Sequence, residues 1–160
     1  MKTPVVATNE LLQIITDGVS NLDFIAHAFL KLGTDETPWV TGFAGDPNDV
    51  NHAMWGGRCA LPLPGFINSN HNNFVAVSSF KRGVDGLYHR RKADFSAMHT
   101  VMVDDVGTKI SHSKLALPPS CLVETSPGNF QAWYFLTEPE HDRVKAEALI
   151  KGMIASGLTA

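Results

Sequence analysis

Cysteine is almost missing from this chain of 160 residues. Its two copies, Cys59 and Cys121, stand 62 positions apart and neither belongs to a C-x-x-C pair. A zinc knuckle therefore lacks ligands and a disulfide framework lacks partners. A reducing compartment suits such a sequence, and the cytoplasm is the expected location. Long apolar runs are missing too: none approaches the ~18 residues needed to span a bilayer, so no membrane association is expected. Between Met1 and Glu10, the polar Thr8, Asn9 and Glu10 interrupt any signal-type segment. Charged residues amount to only 18%, with 13 Lys plus Arg against 16 Asp plus Glu. At a net charge of -3 the global field repels a polyanion, so a nucleic-acid partner must be met by a local basic patch. No His-x-His pair exists among the seven histidines, which argues against a His-based metal site for strand nicking. His99 and His112 read as ordinary surface or core residues. Gly56-Gly57 and Gly65 are not followed by G-K-[ST], which excludes a phosphate loop of that type.

What is present suffices for a core. Hydrophobic residues make up 44% and aromatics 9%, values of an ordinary globular protein. One domain over residues 1–160 is expected, burying roughly two-thirds of its unfolded surface. Ser20 to Gly33 reads as an amphipathic helix, with Ser20 as N-cap, Asp23 closing a capping box, Leu22, Ile25, Ala26, Phe29 and Leu32 on one stripe, and Gly33 as terminator. Thr37 to Pro64 is rich in turn formers yet carries Trp39 and Trp55, so it reads as a structured connection with a short strand from Trp39 to Phe43. Strands follow at Asn73 to Phe80 and His99 to Asp105. Between them lie the turn formers Gly83, Asp85 and Gly86 and the cluster His89, Arg90, Arg91 and Lys92. Cys121 to Glu124 and Gln131 to Leu136 form a hairpin around Ser126-Pro127-Gly128-Asn129. Pro139 is placed at the first position of a closing helix, along which Ala146, Leu149, Ile150, Met153 and Ile154 recur until Gly157. The class is α/β in the broad sense (α+β): a mixed sheet with helices packed on it.

The strongest chemical signal is Val101-Met102-Val103-Asp104-Asp105-Val106-Gly107, an apolar run ending in adjacent carboxylates. Two such groups ~5 Å apart repel by about 3 kcal/mol at an effective dielectric of about 20, and water or a cation relieves that repulsion. Hard divalent ions prefer oxygen ligands of this kind. Strict strand alternation sends Asp104 and Asp105 to opposite faces, so a shared site requires a bend, which Gly107 permits. A solvated strand exit is the competing reading. Downstream, Glu124 to Gln131 sets a small polar turn between two apolar strands, where hydroxyls, backbone N–H groups and an amide can hold phosphate oxygens. A plain hairpin explains that pattern equally well. Arg90, Arg91 and Lys92, with Lys81, Arg82 and His89 nearby, are either a phosphate-backbone contact or a solvated charge run. Trp133 and Phe135 read as core residues rather than base-stacking platforms.

In this order, the acidic strand end and the hairpin resemble the archaeo-eukaryotic primase superfamily, more closely the RepB-type primases of plasmids and phages. His99-Thr-Val-Met-Val-Asp-Asp-Val-Gly-Thr-Lys109 is similar to the superfamily's first metal motif, and Glu124-Thr-Ser-Pro-Gly-Asn-Phe-Gln-Ala-Trp133 to its nucleotide-binding motif. The likeness runs from about Asn73 to Gly157. It implies a primase-polymerase-like core and template-directed nucleotidyl transfer in plasmid or phage replication. By the same resemblance, Asp104 and Asp105 are the catalytic metal ligands for Mg²⁺ or Mn²⁺, as in two-metal phosphoryl transfer. Thr125, Ser126, Asn129, Gln131 and Lys109 contact the nucleotide, while Arg90, Arg91 and Lys92 meet the nucleic acid. The implied partners are nucleoside triphosphates, a single-stranded template and other replication proteins.

The sequence departs from that pattern twice. Gln131 stands where the family's second motif usually ends in histidine, and an amide hydrogen-bonds but carries no proton to phosphate. The family's third acid and its Arg-rich segment follow the helix that here ends near Gly157, beyond the last residue of the sequence. The expectation is therefore a truncated primase core, or a non-catalytic nucleotide or nucleic-acid-binding module that keeps the fold. Residues 1–160 are expected to bind nucleotide with little primer synthesis, with Glu124 or Asp142 as substitutes for the third acid if synthesis is found.

Overall fold

The computed structural model describes residues 19–46, 57–59, 67–68 and 70–158. Trp55, Gly56 and Gly65 lie outside them. Helix α1, Asn21–Ala28, opens as its sequence dictates: the Ser20 hydroxyl accepts the Asp23 N–H at 3.1 Å, and the Asp23 carboxylate accepts the Ser20 N–H at 3.0 Å. The helix ends five residues before Gly33, with Phe29 as its C-cap. Two turns are too few to carry the expected stripe. Phe24, Ile25, Ala28 and Phe29 face the sheet instead, and Leu22 and Ala26 are exposed.

Among the described residues six strands follow: β1 Glu36–Phe43, β2 Arg58–Cys59, β3 Asn72–Lys81, β4 Phe95–Val106, β5 Cys121–Ser126 and β6 Asn129–Glu140. They form one sheet in the order β2-β1-β3-β4-β6-β5. Every strand pairing in it is antiparallel, which corrects the expected mixed sheet. The reason is topological. A parallel pair needs a long crossover, and among the described residues the two α-helices lie outside the run of strands, before β1 and after β6.

Alternation along β4 and β6 sorts the two faces. Thr100 and Met102 pair with Phe135 and Trp133 on the side where Phe24 meets both aromatic rings edge-on, at 6.0 and 5.1 Å between centroids respectively. Val101 and Val103 pair with Tyr134 and Ala132 on the other side, in a core shared with Ala146 and Met153 of helix α2, Arg143–Ala155. Trp133 is buried as expected, and Phe135 packs against the α1 cluster. The described residues thus form an α+β structure, with α1 on one face of the sheet and α2 on the other.

The closing helix corrects another expectation. Pro139 belongs to β6, and α2 starts four residues later because Asp142 supplies the cap, its carboxylate accepting the N–H groups of Val144 and Lys145 at 2.8 and 3.3 Å. Its other end matches the sequence. Gly157 takes a φ of 71°, and the Leu158 N–H returns to the Met153 carbonyl at 3.0 Å.

Candidate functional site

The acidic pair sits in a β-bulge. Val103 pairs with Ala132 and Val106 with Phe130, so Asp104 and Asp105 together stand opposite the single residue Gln131. Two acids share one register step, and the strict alternation that would separate them is relieved. The bend lies at Asp105 itself, whose φ is 56°, with Gly107 at 92° completing the turn. Aspartate tolerates this left-handed conformation better than most residues because its short side chain bonds locally. The Asp105 carbonyl accepts the N–H groups of Thr108, Lys109 and Ile110 at 3.3, 3.0 and 2.9 Å, which folds the chain back on itself.

That turn meets the hairpin tip. A Cβ at Gly107 would lie 2.5 Å from the Gly128 carbonyl oxygen. Asn129 ties the two segments together, its amide nitrogen donating to Asp105 Oδ1 at 3.3 Å and to the Thr125 hydroxyl at 3.2 Å. Thr108 donates to Asn129 Oδ1 at 2.6 Å, and the Lys109 ammonium pairs with Asp105 Oδ2 at 2.7 Å. Asp105, Lys109, Thr125 and Asn129 are therefore one hydrogen-bonded cluster at one end of the sheet. Ser126 pairs with Asn129 across the Pro127-Gly128 turn and is exposed, while Gln131 is half-buried between the bulge and Val123. Glu124 stands at the same turn, accepting the Gly128 N–H at 2.9 Å, whereas Asp142 caps α2 beyond Glu140, which pairs with Met98 toward the other end of β4.

The basic run is not part of this cluster. Arg90, Arg91 and Lys92 precede β4, whereas Asp104 comes at its tenth residue, roughly 30 Å further along at about 3.3 Å per residue. Arg91 is committed to the nearly buried Asp94 at 2.6 Å, and Lys92 to Glu147 of α2 at 3.2 Å. Arg90 is exposed and has no ion pair among the described residues.

No family model, curated protein or solved structure matches this chain. What the cluster can do follows from its donors and acceptors. The Lys109 hydrogen bond, then that of Asn129, holds the Asp105 carboxyl below the usual carboxylate range. Reciprocally, the Asp105 hydrogen bond and charge raise the Lys109 ammonium above its ordinary value, and the Asp104 charge adds to the effect. Both carboxylates thus act on one cationic position, which the protein fills with its own lysine. Asp104 Oδ1 accepts the Asp105 N–H at 2.9 Å. This donor set suits a hard cation, although among the described residues no group of three or more His, Cys, Asp or Glu side chains is assembled to hold one.

A second polar cluster gave no signal in the sequence. Ser79, fully buried, lies 3.0 Å from His99 Nε2 and donates to Glu36 at 2.9 Å; Ser96 donates to the other Glu36 oxygen at 2.5 Å. The residues come from three strands and span more than 60 positions, so no motif joins them. Although the Ser-His-Glu composition is that of a nucleophile and its base, a hydroxyl with no exposure meets no substrate. Thr108 was missed for another reason. It sits inside the acidic motif as a turn residue, and only the folded turn aims its hydroxyl at Asn129.

Proposed function

We propose that this chain carries the nucleotide-binding end of a primase-polymerase-type nucleotidyl transferase, acting on nucleoside triphosphates along a single-stranded template in plasmid or phage replication. The bulge carries the reading. It sets Asp104 and Asp105 at one register step, and Asn129 joins Asp105 to the hairpin that the sequence likeness marks for nucleotide. Asp104 and Asp105 would hold Mg²⁺ or Mn²⁺. When bound, such an ion neutralises charge on the triphosphate and orients the attacking hydroxyl. The hydroxyls of Thr125 and Ser126 and the amides of Asn129 and Gln131 offer hydrogen bonds to phosphate and sugar oxygens. Lys109, once exchanged off Asp105, is a point charge for a phosphate oxygen.

A second reading, a module that binds nucleotide without transferring it, is favoured by the Lys109–Asp105 pair, which already satisfies one of the two carboxylates. A template-dependent extension assay on residues 1–160 separates the two: extension selects the enzyme, and nucleotide binding without extension selects the module. For both readings, titration of a fluorescent nucleoside triphosphate in Mn²⁺ should show Kd rising at least tenfold in Asp104→Asn and in Asp105→Asn. Binding that ignores both substitutions and chelation of the metal overturns the assignment.

A further inference from the structure

One short segment is unusually rich in positive charge. Residues 81–94 contain five of the chain's 13 Lys and Arg and two of its 16 acids. This segment runs from Lys81, the last residue of β3, through the loop that leads to β4, and the loop is held by its own hydrogen bonds. Arg82 and Tyr88 bridge its two legs, the Gly83 N–H donates to the Leu87 carbonyl at 2.7 Å, and Asp85 binds the Leu87 N–H at 3.1 Å and His89 at 2.8 Å. The Arg82 guanidinium lies over the Tyr88 ring, 4.4 Å from its centroid, and donates to the Gly86 carbonyl at 3.0 Å. Arg91 and Asp94 pack against Gly83 at the base, so Arg91 secures the loop. Lys81 and Arg90 remain exposed and without ion pairs among the described residues.

We infer that this loop docks single-stranded nucleic acid, with Lys81, Arg82 and Arg90 on the phosphates and the Arg82–Tyr88 pair as a platform for a base. The inference rests on the proposed function for its choice of a single strand as the polyanion. A rigid frame that spaces exposed cations beside an aromatic ring is what sequence-tolerant strand binding requires, since phosphates supply the charge and every base offers a stacking face. An anionic bilayer is the other surface such a loop could meet, because Val84 and Leu87 are exposed at its tip. Asp85 lies between them, however, and insertion would bring its carboxylate against like charge and out of water. The site lies at the end of β4 opposite the acidic bulge, so a strand reaching both would follow the sheet for roughly 30 Å.

Binding of a fluorescein-labelled thymidine 12-mer, followed by anisotropy across a salt series, tests the inference. Lys81→Gln combined with Arg90→Gln should weaken binding roughly tenfold at low salt and lower the log–log salt slope by about 1.4, some 0.7 for each lost phosphate contact. Lys145→Gln with Lys151→Gln on α2 makes the same charge change elsewhere and should leave the slope unaltered. Equal losses in the two double variants, or no loss in either, overturn the proposal. So does a loop variant that loses binding to phosphatidylserine vesicles while keeping its oligonucleotide affinity. Arg90→Glu alone supplies a second measure should the double variant melt early. Failure of the functional reading would show instead as absence of Mn²⁺-dependent nucleotide binding with oligonucleotide binding intact.

Discussion

Gly107 shows how one hydrogen atom in place of a side chain fixes the site. Its φ of 92° is a conformation that L side chains rarely adopt, and its Cα faces the Gly128 carbonyl so closely that an added Cβ would sit 2.5 Å from that oxygen. Gly86 shares the first property without the second, having a φ of 76° and open space where a Cβ would go. Substitution by alanine therefore separates strain from close approach. Gly86→Ala should cost about 1 kcal/mol, the ordinary penalty of a left-handed alanine, whereas Gly107→Ala should cost upwards of about 3 kcal/mol because the hairpin must move as well. Urea unfolding of the two variants measures the difference, and equal losses would remove the close-approach argument. Asp105 manages its own positive φ with bonds to Lys109 and Asn129, so the charge of this residue and the shape of its backbone are maintained together.

Among the elements, α1 depends most on its ends. At eight residues it is below the length at which an isolated helix is stable in water, so it persists by its cap and by the four residues it lays on the sheet. Ser20→Ala removes the hydroxyl that receives the Asp23 N–H and should destabilise the protein by about 1 kcal/mol, while Ser20→Gly should cost only a few tenths. Thermal melts of the two variants check the order; alanine no worse than glycine would mean that the cap contributes nothing. The β5–β6 hairpin is the opposite case. Pro127-Gly128, with Gly128 at a φ of 75°, is a local turn signal, and the strands paired on either side carry the apolar runs Cys121 to Val123 and Ala132 to Leu136.

For the molecule as a whole, the polar cluster of Glu36, Ser79, Ser96 and His99 joins three strands beneath α1, with the Phe29 ring 5.1 Å from the imidazole of His99. Burial pushes the His99 imidazole below its ordinary value; Glu36 opposes this only in part, and His141 adds to the depression. The folded state thus binds fewer protons than the unfolded chain once the pH drops below about 6.5. Stability attributable to His99 is complete above that pH and declines below it, at most by about 1.4 kcal/mol per pH unit for one proton. Burial disfavours the Glu36 carboxylate, but the hydroxyls of Ser96 and Ser79, the Gly33 N–H and His99 together hold it below its usual range. A second decline therefore begins as the pH falls through about 4.5. His99→Gln, which keeps a hydrogen-bonding group toward Ser79, should flatten the curve between pH 6.5 and 5 and leave the lower step in place. Denaturant midpoints recorded across that range test the assignment, and an unchanged slope in the variant would assign the acid sensitivity elsewhere.

Much of the architecture was written locally. The Ser20–Asp23 capping box, the hairpin turn and the central strand leading into Asp104 all depend on residues within a few positions of one another, and local hydrogen bonds and alternation suffice to specify them. The antiparallel sheet was decided by partners. The start of α2 is itself local, since Asp142 caps the N–H groups of Val144 and Lys145 and leaves Pro139 in the strand, whereas α1 stops at Ala28 although Leu32 beyond it still packs on the same cluster. The candidate site divides along the same line. Its residue types were legible as adjacent acids and a polar turn, but the bulge that puts Asp104 and Asp105 at one step exists only because Val103 and Val106 pair with Ala132 and Phe130, two residues apart on another strand. Register between strands is a property of the assembled sheet. For the same reason Asn129 on Asp105 and the buried Ser79–His99 contact belong to the tertiary structure alone, which brings together groups whose separation along the chain holds no record of their distance in space.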